Sequence, residues 1–206
     1  MITNSRRGDF VEFSFQDSSD VRDSAVEVAV PKGLRQQLRE SGRVVLDSLP
    51  VWGWRNPDKP PHDVVHTPSG ATLFSERVRG VVDAHLGPAD EVQWIAAELE
   101  LLDAKRVRYW VAHLPVHHDV LSDDGTDWQD NGVPIRYAYS RSKLTGHCFT
   151  SSVTRPARVT VPGVGVFELG TQRVTSAYLV TGALCDALRS VGITGARLVP
   201  APMTAE

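Results

Sequence analysis

Apolar residues in this chain come in short alternating runs, and that pattern restricts it to folds built largely from sheet. In FVEFSF, Val11, Phe13 and Phe15 fall on one face, and in AVEVAV, Val26, Val28 and Val30 do the same. Period-two spacing of this kind suits strands with one buried side. EVQWIAAELELL, DAK and RVRYWVAHL together predict two strands joined by a tight turn. ARVTV and GVFEL predict another two strands, and RVVLDSL can form one more.

Helical signals are fewer. In FSERVRGVVDAHLGP, Ser75 is a natural N-cap and Glu76 favours the positive end of a helix. Val78, Val81, Val82 and His85 make its apolar stripe, and Gly87-Pro88 ends it. VTGALCDALRSVG repeats the layout, with Thr181 as cap and Gly192 as stop before a short strand through Leu198. These two segments overlay without gaps, as a decayed internal repeat or a commonplace α+β connection would. PKGLRQQLRESG predicts a third helix, with Pro31 near its start, Leu34 and Leu38 at i, i+4, and Gly42 as its stop.

The expected fold is therefore α+β: two small lobes of mainly antiparallel sheet with short helices packed on them. Residues 1–66 would form the first lobe and 67–206 the second. The Pro- and Gly-dense stretch over 50–70 is the candidate connection. Within it, Trp52 and Trp54 are read as anchors on a core, with an exposed recognition patch as the second choice. A chain of 206 residues can bury a substantial core in one domain or two small lobes.

A net charge of −3 and the lack of any basic run argue against general nucleic-acid binding. No apolar stretch approaches the ~20 residues a membrane span needs, and the first residues lack the apolar core of a signal peptide. The two cysteines, Cys148 and Cys185, form no CxxC pair, so a reduced, cytoplasmic compartment is expected.

One stretch carries most of the functional information. VHHDVLSDDGTDWQD, residues 116–130, holds two histidines, five aspartates and no Lys or Arg. A zinc-protease motif needs a Glu after its first His and both histidines on one helical face. Leu114 follows His113, and Pro115 breaks any helix before His117, so that motif fails. His117, His118 and Asp119 could still ligate a metal, although neighbours on a strand point to opposite faces. The aspartates lack the spacing and final Glu of an EF-hand loop. DDGT has turn chemistry, so the cluster reads either as a solvated turn or as an acidic surface that steers a basic partner. On the second reading the contact residues are Asp119, Asp123, Asp124, Asp127 and Trp128, with Trp52 and Trp54 as a second patch. No G-x-S-x-G elbow, phosphate-binding Gly-rich loop or G-x-G-x-x-G fingerprint is present. His147 beside Cys148 is sequence adjacency, which seldom gives a working Cys–His pair.

FSERVRGVVDAHLG, VQWIAAEL, YWVAHLPVHHDVL, SRSKLTGHCF and VTGALCDALRSVGITGARLVPAP, in that order, resemble the Imm11 (DUF1629) family of bacterial immunity proteins. The resemblance covers roughly residues 70 to 203, and its closing capped helix, Gly-hydrophobe-Thr-Gly and Pro-containing strand are its most specific part. It implies a cytoplasmic, non-enzymatic protein that binds one cognate toxin domain, encoded by a neighbouring gene, and occludes its active or functional surface. The family has no catalytic residues or cofactors to carry over. The alternative is a small metal- or cysteine-dependent hydrolase using His117, His118 and Asp119, or Cys148. A third reading is an adaptor domain of a larger assembly.

Overall fold

The structure, a computed structural model, describes residues 10–15, 23–173 and 178–204. The first strands are β1 (Phe10–Phe15), β2 (Ala25–Ala29), β3 (Val51–Trp54), β4 (Val64–His66) and β5 (Thr72–Phe74). β6 (Gln93–Glu100), β7 (Arg106–His113), β8 (Asp127–Trp128), β9 (Pro134–Arg136) and β10 (Phe149–Thr150) follow. β11 (Ala157–Val161), β12 (Gly165–Leu169), β13 (Tyr178–Thr181) and β14 (Ala196–Pro200) complete the strands. The helices are α1 (Leu34–Gln37), α2 (Glu76–Asp83) and α3 (Gly182–Ser190). The fold is α+β, as expected.

A six-stranded sheet has the order β2-β3-β6-β7-β5-β4, and a four-stranded sheet has the order β10-β13-β1-β14. All pairings are antiparallel except β3 with β6. Both sheets cross the expected lobe boundary at residue 66. β3 pairs with β6, β4 with β5, and β1 with both β13 and β14. The 50–70 stretch is not a linker either, because β3 and β4 lie inside the larger sheet. Its Pro and Gly residues punctuate two short strands, which composition alone cannot distinguish from a connection.

Each sheet contains the same unit. β5 leads through α2 to β6, and the antiparallel β7 lies between the two strands. β13 leads through α3 to β14, with the antiparallel β1 between them. An outer antiparallel strand completes each unit, β4 in one and β10 in the other. The similarity of the two capped segments thus extends to topology. Ser75 and Thr181 hold nearly the same backbone angles (φ −64°, ψ 160° and φ −64°, ψ 157°), and each side chain accepts from the N–H three residues on.

Period-two alternation assigns residues to the layers. Val64, Phe74 and Ala112 face the core shared with α2, α3 and the smaller sheet. Their neighbours Val65, Leu73 and Val111 face a second core under α1, together with Trp52 and Trp54. In the smaller sheet Tyr178 and Val180 face the shared core, while Leu179 faces a third cluster with Val120, Leu121, Tyr139 and Leu144. Aromatic contacts join the sheets: Phe74 stacks on Phe13 at 5.8 Å and meets Tyr178 edge-on at 5.5 Å.

Two buried or half-buried carboxylates fasten the helices end to end. Asp63 accepts from the Ser75 hydroxyl (2.8 Å), from Arg77 and from the Thr194 N–H (3.0 Å), while Arg77 also donates to the Val191 carbonyl (3.0 Å). The start of α2 therefore lies at the end of α3. Burial alone would raise the Asp63 pKa, but the bonds from Arg77, Ser75 and Thr194 outweigh it and hold it low. Asp90 accepts from the N–H groups of Gly87 (2.7 Å), Cys148 (2.8 Å) and Phe149 (3.0 Å), and it contacts His147 at 3.0 Å. It ties the exit of α2 to β10, whose neighbour Cys148 accepts from the Thr181 N–H at 3.1 Å.

Two other expectations differ in detail. The expected helix over 31–42 shrinks to Leu34–Gln37, because Gly33 enters it at φ 84° and Gly42 at φ 98° turns the chain away. RVVLDSL forms no strand. Val44 instead bonds to the side-chain amide of Gln93 through both its N–H (2.8 Å) and its carbonyl (2.6 Å), which substitutes for a neighbouring strand.

Candidate functional site

The acidic stretch folds as a turn followed by the β8–β9 hairpin. Gly132, at φ 74° in its tip, lies so close to the Arg155 carbonyl that a Cβ there would collide with it. The Arg155 N–H donates back to Gly132 at 3.0 Å. This contact fixes the hairpin against the segment leading into β11.

Sequence proximity suggests that the aspartates lack basic partners, and for two of them the fold overturns this. Asp123 pairs with Arg155 and with Lys143 at 3.3 Å, and Asp119 lies 3.6 Å from Lys143 and 3.7 Å from Arg155. Arg155, then Lys143, hold the Asp123 carboxyl below its ordinary value. Arg155 also lies over the half-buried Trp128 ring, 4.3 Å from its centroid. Both cations are distant in sequence, so no local reading finds them. Asp124, Asp127 and Asp130 remain exposed, with no ion pair among the described residues.

Beside this flank projects the β11–β12 hairpin, paired with no other strand among the described residues. Its turn is Val161-Pro162-Gly163-Val164, closed by the Val164 N–H on the Val161 carbonyl (3.0 Å), with Gly163 at φ 77°. Pro followed by Gly in the two central positions suits that geometry. The register sorts its side chains into two faces. Arg158 opposite Glu168 and Thr160 opposite Val166 make one, and the first pair forms an ion pair at 2.8 Å. Ala157 opposite Leu169, Val159 opposite Phe167, and Val161 opposite Gly165 make the other. That second face is wholly apolar and belongs to none of the three cores. Phe167 is 44 % exposed, and Val161 and Leu169 are each 39 % exposed. A shallow notch lined by Gln129, Asp130, Asn131, Arg158, Val159 and Thr160 lies between this hairpin and the acidic one.

The remaining candidates do not join this surface. Trp52 is fully buried and Trp54 nearly so, the latter donating from Nε1 to the Lys59 carbonyl at 2.9 Å. They are core residues of the larger sheet, so the second patch is corrected to packing. His117, His118 and Asp119 diverge. His117 turns toward Thr171 (3.4 Å), His118 packs edge-on to His147 (4.5 Å between centroids), and Asp119 joins Lys143 and Arg155. Among the described residues, no group of three His, Cys, Asp or Glu side chains is placed to hold a metal ion. Burial, then the nearby Asp90 charge, raise the Cys148 pKa, which disfavours the nucleophilic thiolate. Arrangements needed by the hydrolase alternative are therefore not assembled around these residues.

The apolar hairpin face is a candidate binding feature that the sequence alone does not single out. ARVTV and GVFEL are legible as strands, but only their register reveals that Ala157, Val159, Val161, Phe167 and Leu169 share one side. No helix among the described residues is long and apolar enough to cross a membrane. No protein-family model matches the chain, and no curated protein matches it.

Proposed function

We propose that this protein acts by binding another protein through the apolar face of β11–β12 and the acidic β8–β9 hairpin beside it. The observation carrying this reading is the hairpin's two-sidedness: one face carries the Arg158–Glu168 ion pair with Thr160 and Val166, and the other is wholly apolar and left outside every core. An isolated two-stranded hairpin is marginal in water, and apolar patches rimmed by charge mark interaction sites. Exposed Asp124, Asp127 and Asp130 favour a partner with a basic surface, whose approach they would steer. The particular form, a cytoplasmic immunity protein that occludes a cognate toxin encoded by a neighbouring gene, rests on the resemblance of residues 70 to 203 to Imm11 proteins. A complex of standard size would bury about 1,600 Å², more than the hairpin alone offers, so the acidic flank belongs to the footprint.

Co-expression with the product of the adjacent reading frame tests both levels. The expected result is growth rescue with co-purification of a complex. Phe167→Asp combined with Leu169→Asp should abolish both while leaving the melting temperature unchanged. Asp124→Lys with Asp127→Lys should slow association and weaken its salt dependence. A harmless or unbound neighbour sinks the immunity reading. Undiminished binding by the Phe167/Leu169 variant sinks the assignment of the face.

A further inference from the structure

Where the two sheets meet at Ala112 and Tyr178 lies a pocket that the binding reading does not use. It has a volume of about 160 Å³ and lies between α1, the turn over 67–71, Arg173 and the start of β13. Arg35, Arg39 and Arg173 line it, together with Ser69, Gly70 and Tyr178, and no described lining residue is a carboxylate. We propose that this pocket binds a phosphate-type oxyanion, held by Arg35, Arg39 and Arg173.

The arginines are placed for it. Arg35 lies on α1 and Arg39 in the turn at its exit, and both line the pocket. Both are exposed, and neither has an ion-pair partner among the described residues. Arg77, Arg106, Arg155 and Arg158, by contrast, are all matched to carboxylates. Arg173 is held in place from two directions. Its guanidinium stacks over the Tyr178 ring at 4.5 Å and donates to the Tyr178 hydroxyl at 3.3 Å. That hydroxyl donates in turn to the Ala112 carbonyl at 2.8 Å, which fixes the ring. The Arg173 N–H donates to the Arg39 carbonyl at 3.2 Å, so the loop and α1 keep their spacing.

His113 and His117 both have lowered pKa values, chiefly from burial, and Arg173 contributes in each case. Three guanidinium charges with no carboxylate among the described lining residues favour anions over cations. Guanidinium forks match phosphate oxygens in pairs, and three of them suit a tetrahedral group with several free oxygens better than a carboxylate with two. The volume agrees with a small ligand, since a cavity of about 150 Å³ takes up benzene. Gly70, at φ 79°, leaves open space where a Cβ would project, which lets a ligand approach the turn's backbone.

The test is calorimetric titration of the full chain at low ionic strength with inorganic phosphate, phosphoserine and acetate. Saturable phosphate binding, about tenfold tighter than acetate, is expected. Arg35→Ala combined with Arg39→Ala alters only exposed positions, so the fold should survive, and phosphate affinity should fall at least about tenfold. Arg173→Lys, which keeps the charge but loses the fork, should weaken binding less. Phosphoserine binding as well as phosphate supports the site and assigns the group to a carrier molecule. Weaker phosphoserine binding supports it as a site for the free ion. Absence of saturable phosphate binding, equal affinity for acetate, or an unaffected double variant would each overturn the proposal. None of these outcomes bears on the partner-binding hairpin, which lies on other residues.

Discussion

The unit around α2 and the unit around α3 share their strand order, their antiparallel middle strand and their helix caps, yet they differ in two connections. In the α2 unit the outer strand β4 reaches β5 through the turn over 67–71. In the α3 unit the corresponding step from β10 to β13 spans residues 151–177 and contains the whole β11–β12 hairpin. The middle strand differs as well. β7 follows β6 directly through a tight turn, whereas β1 comes from the far side of the chain. One connection has been kept minimal and the other extended into a surface. The scaffold therefore lies in what the units share, and the candidate function lies in what only one of them carries.

Breaking the shared core is the most severe test of that division. Phe13, fully buried in β1 against Phe74, should cost about 3–5 kcal/mol when changed to Ala. Urea unfolding should remain a single transition. A loss under about 1 kcal/mol, outside the range for such truncations, would mean that β1 is peripheral and the units fold separately.

A smaller loss is expected at the joint between the units. Asp90→Ala leaves three N–H groups and His147 without their acceptor, at a cost of about 3 kcal/mol. Hydrogen exchange should show opening at Gly87, Cys148 and Phe149 first. Protection unchanged at those amides would show that the clamp is dispensable.

The mildest comparison sharpens the equivalence of the caps. Ser75→Ala and Thr181→Ala should each lower stability by about 1 kcal/mol. Ser75 should be the costlier, because its hydroxyl also donates to Asp63 at 2.8 Å. Equal losses in thermal unfolding would make that added bond energetically silent.

Much of this scaffold is legible in the sequence, and the reasons differ by element. β6 and β7 are read correctly because long alternation and a turn are local signals, and the caps at Ser75 and Thr181 because their chemistry lies within a few residues. β2 shows the limit. Its valines alternate, yet Val28 is 50 % exposed and Ala25 is the buried residue, because β2 is an edge strand with a bulge between Glu27 and Ala29. The site is less legible than the scaffold. Asp123 is neutralised by residues 20 and 32 positions away, and Arg35, Arg39 and Arg173 meet only through tertiary packing. Such encounters depend on topology, which no local pattern in a single chain encodes.

The placement of β1 between β13 and β14 also sets a schedule for synthesis. Phe13 pairs with Tyr178, so β1 leaves the ribosome about 165 residues before its first partner, a wait of roughly 10–30 s at ordinary elongation rates. During that interval an apolar strand with two unpaired edges is exposed to whatever it meets, whereas β6 and β7 can close within moments of emerging. Slower translation should lengthen the exposure of this segment most, making the yield of native protein sensitive to codon usage between the two halves of one small sheet.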